Sequence, residues 1–125
     1  MRQLTLPELR EAVEWALADA DVVLGTYRYP GGQETPALHV GDPPEGVTVR
    51  GLEILIPATP EPTVISTFAG AITIDHYPVR AVSHDGRTLT PVWQALATAF
   101  RGTPAPQVLQ ATDRYPDQML VTITP

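Results

Sequence analysis

Along the first twenty residues the apolar positions return at helical spacing. Leu9, Ala12, Val13, Ala16, Leu17 and Ala20 fall on one stripe, while Glu8, Glu11, Glu14 and Asp19 lie away from it, as in a helix with one buried face. Thr5 and Glu8 form a capping box, Leu4 and Leu9 a hydrophobic staple, and Pro7 sits in the first turn, so a helix is predicted from about Leu6 to about Ala20. Trp15 falls at the edge of the polar side, where an exposed indole is a candidate contact for another subunit and a folded-over one would cover the sheet rim.

Beyond Asp21 the period shortens to two. VVLGTYRY reads as a strand rich in β-branched and aromatic residues, PGGQETP as a flexible turn, ALHV as a short strand and GDPPEG as a proline-stiffened turn. The next strand, VTVRGLEILI, changes phase internally: Val47 and Val49 alternate in one register, Leu52, Ile54 and Ile56 in the other. A bulge at Gly51 would bring both halves onto one buried face. PATPEP follows, and Pro57, Pro60 and Pro62 cannot sit in a central strand, so this stretch, with Glu61, is predicted to be a stiff projecting loop or arm. TVISTFAGAITIDHYPV alternates as one long strand or as two hinged at Gly70. After the turn SHDGRT, Thr90 and Pro91 open a second helix with Val92, Ala95, Leu96, Ala99 and Phe100 on its apolar stripe, ending at Gly102. APQVLQAT and QMLVTITP close the chain as two strands around DRYPDQ.

The order is helix, strands, helix, strands. It predicts a single α+β domain over residues 1–125, a mainly antiparallel sheet of about four to six strands carrying the N-terminal helix and a second helix near residues 91–101. A chain of 125 residues suits one core. There is no cysteine, which removes disulfides, thiolate zinc sites and cysteine nucleophiles together and suits a reducing compartment. The first twenty residues lack the features of a secretory signal or transit peptide, and no segment is apolar for the length of a bilayer, so no membrane association is expected.

Fourteen Asp and Glu against eight arginines, with no lysine, give a formal net charge of −6. The arginines are scattered singly rather than gathered in a patch that would displace counterions from nucleic acid, so sequence-specific DNA binding is disfavoured. An acidic surface does suit DNA that passes without sticking, since like charge repels the phosphates.

Catalytic chemistry is hard to find. His39, His76 and His84 are widely separated with no second ligand at metal spacing, so neither a metal nor a cofactor is expected. Ser83-His84-Asp85 resembles a triad only on paper, because neighbours in an extended chain point to opposite faces and a turn of this kind uses Ser and Asp to bond its own backbone. Glu53 and Asp75 lie on strands and could meet in the fold, although strand carboxylates usually face water. PGG at 30–32 lacks the lysine of a phosphate-binding loop. The expectation is a protein that is not an enzyme. Aromatic material gathers near the proline-rich turns, and Tyr27, Tyr29 and Tyr115 are candidate contacts, with Tyr77 and Trp93 leaning toward core packing.

The strings LGTYRYPGGQETPALHVGD and GVTVRGLEILIPATPEP, then the long alternating strand, the short helix and the closing RYPDQMLVTI, resemble small proteins from the tail-assembly regions of long-tailed bacteriophages and prophages. The element order is similar to that of the tail terminator family. That resemblance covers about Leu9 to Thr124 and rests on turn-and-strand signatures rather than a fixed residue motif. It implies a non-enzymatic virion component, assembled in the host cytoplasm, that forms a ring, a hexamer, on the last ring of the tail tube and then receives the filled head. Its partners would be further copies of itself, the tail tube protein and a head-neck connector, with DNA passing through the lumen. PATPEP and GDPPEG would reach neighbouring rings, and the edges of VVLGTYRY or QMLVTITP would join subunits. The alternatives are a head-to-tail connector of the same particle, a sheet-edge peptide-binding module, and a small hydrolase using His76 or His84.

Overall fold

Helix α1 forms over Leu6–Asp19, with Thr5 as its cap: Thr5 Oγ1 accepts from the Glu8 backbone N–H at 3.3 Å and donates to the Glu8 carboxylate at 3.0 Å. The structure, a computed structural model, describes residues 4–109 and 117–125. Leu9, Val13 and Leu17 of α1 are buried, the stripe that the spacing predicts. Helix α2 spans Thr90–Ala99 and buries Val92, Ala95 and Leu96, while Phe100 closes the same core just beyond its end.

Nine strands are described: β1 Thr26–Arg28, β2 Glu34–Pro36, β3 Leu38–Val40, β4 Thr48–Arg50, β5 Leu52–Ile56, β6 Glu61–Thr67, β7 Gly70–Ser83, β8 Gln107–Leu109 and β9 Asp117–Ile123. They form two sheets. The larger runs β3-β5-β7-β9-β8, with β6 paired to the outer part of β7; β3 lies parallel to β5 and the other pairs are antiparallel. The smaller is the antiparallel trio β2-β1-β4. The fold is α+β, as the element order predicts.

Register decides what each face of the large sheet does. Leu52, Ile54 and Ile56 on β5, Val79 and Ala81 on β7, and Met119, Val121 and Ile123 on β9 join the helices in one core. The intervening residues, Glu53 and Leu55, Pro78, Arg80 and Val82, Gln118, Leu120 and Thr122, point to the opposite face. The small sheet covers one end of that face through Tyr27.

Two expectations are corrected here. VTVRGLEILI is not one bulged strand: β4 belongs to the small sheet and β5 to the large one, and Gly51, at φ +79°, is the point where the chain changes sheets. The phase change in the sequence is therefore real, and its cause is a change of sheet rather than a kink. PATPEP is not wholly a loop. Glu61 and Pro62 already belong to β6, an edge strand, where a residue without an N–H is tolerated because, among the described residues, no strand pairs on its outer side.

Candidate functional site

What projects from the body is a β-hairpin. β6 and β7 pair from Glu61↔His76 out to Thr67↔Gly70, whereas β7 does not meet β9 until Tyr77↔Ile123. The seven residues from Gly70 to His76 thus extend beyond the sheet by about 20 Å at ~3.3 Å per residue. Phe68 and Ala69 make the turn, in which Thr67 Oγ1 donates to the Gly70 carbonyl at 2.7 Å and accepts from Ala69 N–H at 3.3 Å. Gly70 adopts φ +120°, a region that side chains avoid, which is why the hinge falls there.

The arm is exposed along Glu61–Ala71 and yet is apolar. Ile65 and Ile72 stand directly opposite each other on one face, with Ile74 beside them, Val64 lies on the other face, and Phe68 is fully exposed at the tip. From Thr63 to Thr73 no residue is charged. Soluble surfaces do not usually gather large apolar side chains with nothing over them, and a projecting group of this kind marks a contact surface. The face bearing Ile65, Ile72 and Ile74 continues without a break along β7 through His76 and Pro78 to Arg80, so arm and open sheet face are one surface.

The residues expected at contacts fall in different places. Trp15 is 69% exposed on α1, as an interface indole would be. Tyr29 is half-buried; Pro57 and Pro60 are half-buried at the root of the arm; Glu61 and Pro62 are exposed on its first pair of residues. Tyr27 is a correction. It is 1% exposed and its hydroxyl donates to Glu53 Oε2 at 2.6 Å, so it holds the small sheet onto the large one and is no rim contact. Tyr115 lies outside the described residues. Trp93 and Tyr77 pack as expected, Trp93 Nε1 donating to the Pro104 carbonyl at 3.0 Å and Tyr77 resting against the core. The arm's own apolar residues, Val64, Ile65, Phe68 and Ile72, were not singled out by sequence reasoning. The signal available was the uncharged stretch Thr63–Thr73 around a Gly hinge.

One polar cluster gathers the chemistry-bearing residues. Glu53, 2% exposed, accepts from Tyr27 and from His84 Nε2 at 3.0 Å, and the Tyr27 ring meets His39 edge-on at 6.4 Å between centroids. Glu53 and Asp75 do not meet: Glu53 faces Val82 on β7, whereas Asp75 faces Pro62 on the arm. Nor does Glu53 face water, because the small sheet covers it. Both carboxylate oxygens are engaged and sealed from solvent, an arrangement suited to pinning two sheets together. His84 turns to Glu53, while Ser83 Oγ donates to Asp85 Oδ1 at 3.2 Å within the turn. His76 Nδ1 lies 2.8 Å from Thr124 Oγ1, just past the end of β9.

Arg87 ties that turn to the rest of the chain. It donates to Asp85 through its side chain, the shortest contact being 2.7 Å, and through Nη1 to the Val23 carbonyl at 2.7 Å. The Arg87 side-chain hydrogen bonds hold the Asp85 carboxyl down at about 2, and the Arg87 guanidinium is pushed up in turn. A carboxyl lowered on folding favours the folded state above its unfolded value of about 3.9, and that contribution is lost as pH falls through the folded value. The pair's contribution to the denaturant midpoint should therefore be lost between about pH 4 and 2, and Asp85→Asn should remove that part of the pH dependence. Superimposable curves for the two proteins would show that the pair carries no linkage.

No described helix is long and apolar enough to cross a membrane. No protein-family model, curated protein or solved structure matches the chain.

Proposed function

We propose that this chain is a non-enzymatic structural subunit of a phage or prophage tail, which assembles as a ring, a hexamer, ends the tail tube and offers the surface to which the head joins. The observation that carries this reading is the arm, about 20 Å of hairpin whose uncharged outer stretch, Thr63–Thr73, carries exposed Val64, Ile65, Phe68 and Ile72 that nothing covers among the described residues. A group of that shape works by fitting something else. The tail setting comes from the strings that resemble the tail terminator family, and the net charge of −6 suits a lumen through which DNA slides. The protein would be assembled in the host cytoplasm and retained in the virion, with the tube protein on one side of the ring and the head-neck connector on the other.

Electron microscopy of particles made without this protein tests the reading. Tails of uncontrolled length with unattached heads are expected. Tails of normal length with unjoined heads would move the protein to the head-to-tail connector, and normal, joined particles would overturn the tail assignment altogether.

A further inference from the structure

Two prolines fix which way the backbone of the arm faces. Pro78 stands opposite Thr122 of β9 and has no N–H, so theirs is the non-bonded kind of antiparallel pair, and Tyr77 with every second residue outward along β7 turns its N–H and C=O to the β9 side. Beyond Ile123 no described strand meets them there. Ala71 and Thr73 therefore carry an open edge, while Gly70, Ile72 and Ile74 bond inward to Thr67, Ile65 and Thr63, as the two-residue turn Phe68-Ala69 also requires. On β6 this leaves Val64 and Ser66 with N–H and C=O turned outward, in phase with Pro62, which has no N–H to turn.

The arm is thus a ribbon of two strands with both edges open. Val64, Ser66, Ala71 and Thr73 are all exposed. Open edges are normally guarded by charge, a bulge or proline, but here Pro62 and the charges of Glu61 and Asp75 stand at the root and the outer stretch has none. A two-stranded ribbon is marginal in water, and a further strand on either edge stabilises it.

What fits each edge is the other edge. Running antiparallel to β6, the β7 edge of a second copy sets Thr73 opposite Val64 and Ala71 opposite Ser66 as bonded pairs, which brings Ile72 opposite Ile65 and Ile74 opposite Thr63. These are the side-chain pairs, in the same register, that the hairpin already makes on its inner side. Ile65 and Ile72 then recur in one apolar row from copy to copy. We propose that the arms of successive copies of this chain pair edge to edge, the β6 edge of one with the β7 edge of the next, an inference that rests on the ring reading above. The two edges differ, so each copy uses one of each, and such a head-to-tail contact builds a ring when its rotation closes. A two-fold pairing of β6 with β6, centred on Ile65, sets Val64 against Ser66 and leaves both β7 edges open, which makes it the poorer match.

The chain has no cysteine, so introduced thiols report on the contact directly. Thr63→Cys and Ile74→Cys chains, mixed in equal amounts where sedimentation velocity shows assembly and then oxidised, are expected to give the mixed disulfide as the main cross-linked product. Their positions form a non-bonded pair between copies, with Cα atoms about 4.5 Å apart and within disulfide reach. Ser66→Pro removes an outward N–H and leaves the inner ladder whole, so it should weaken self-association at least about 10-fold, whereas Ser66→Thr should leave it unchanged. Circular dichroism confirms that each protein is folded. An assembled chain that gives no mixed disulfide, one indifferent to Ser66→Pro, or an Ile65→Cys chain that links chiefly to itself overturns the inference and leaves the ring standing. A native chain that stays monomeric at every concentration overturns both.

Discussion

Replacing Ile65 and Ile72 by threonine and Phe68 by serine should leave the isolated chain folded and abolish its assembly. Ile65 and Ile72 are a directly opposed pair on the arm and Phe68 is its tip, and none of the three belongs to the core. Threonine keeps the β-branched shape that strands favour, so the hairpin survives and only its apolar surface is lost. Burial of a large aliphatic or aromatic side chain is worth about 1.5–3 kcal/mol, so losing three at a contact costs about 5 kcal/mol, or roughly a 10³- to 10⁴-fold weaker association. Stability of the monomer should stay within about 0.5 kcal/mol of the parent, since exposed substitutions away from packing do little. Sedimentation velocity reads the first quantity and a denaturant titration the second. An assembly of unchanged strength would mean that the arm is not a contact.

The largest effect on folding is expected at Gly25. A Cβ there would lie 1.8 Å from the Arg50 carbonyl oxygen and 2.7 Å from the Leu52 nitrogen, both backbone atoms at the point where the chain passes from the small sheet to the large one. Gly25 N–H donates to the Leu52 carbonyl at 2.8 Å and Gly25 O accepts from Ala37 N–H at 3.0 Å, so neither strand can move aside without breaking the crossing. Gly51, at φ +79° between those two residues, is also close, its own Cβ position lying 3.0 Å from the Gly25 Cα. Gly25→Ala should therefore cost at least about 4 kcal/mol, a large share of the stability of a chain this size. Gly31→Ala, which meets nothing within 4 Å, is the control and should change the denaturant midpoint little. A Gly25→Ala protein as stable as the control would show that the crossing is looser than this geometry.

Local chemistry in the chain foretold the helices well. Thr5 and Glu8 mark where α1 begins, and the Leu9, Val13 and Leu17 stripe marks what it buries, because cap and period are both written within a few residues. The phase change around Gly51 was equally visible, but which of two sheets each half joins depends on partners about twenty residues or more away, so a bulge was the nearest local explanation. Glu53 shows the same limit. Its place on a strand was legible, while its burial comes from Tyr27 and His84, on segments that only the tertiary fold brings over it. Gly25 carried no signal at all, because a close backbone approach leaves no mark in sequence pattern. For the contact surface, the stiff prolines drew the reading to PATPEP. The projecting element begins at Glu61 and runs on through an uncharged stretch that alternates like any half-buried strand. Nothing in an alternating pattern tells whether the buried side will be supplied by the same chain or by another.

Native mass spectrometry of the full 125-residue chain over a concentration series, alone and with tail tubes added, puts ring formation to the most direct test. The expected result is a single closed species of six copies that appears as concentration rises or as tube ends become available. Monomers under every condition would contradict a ring-forming subunit.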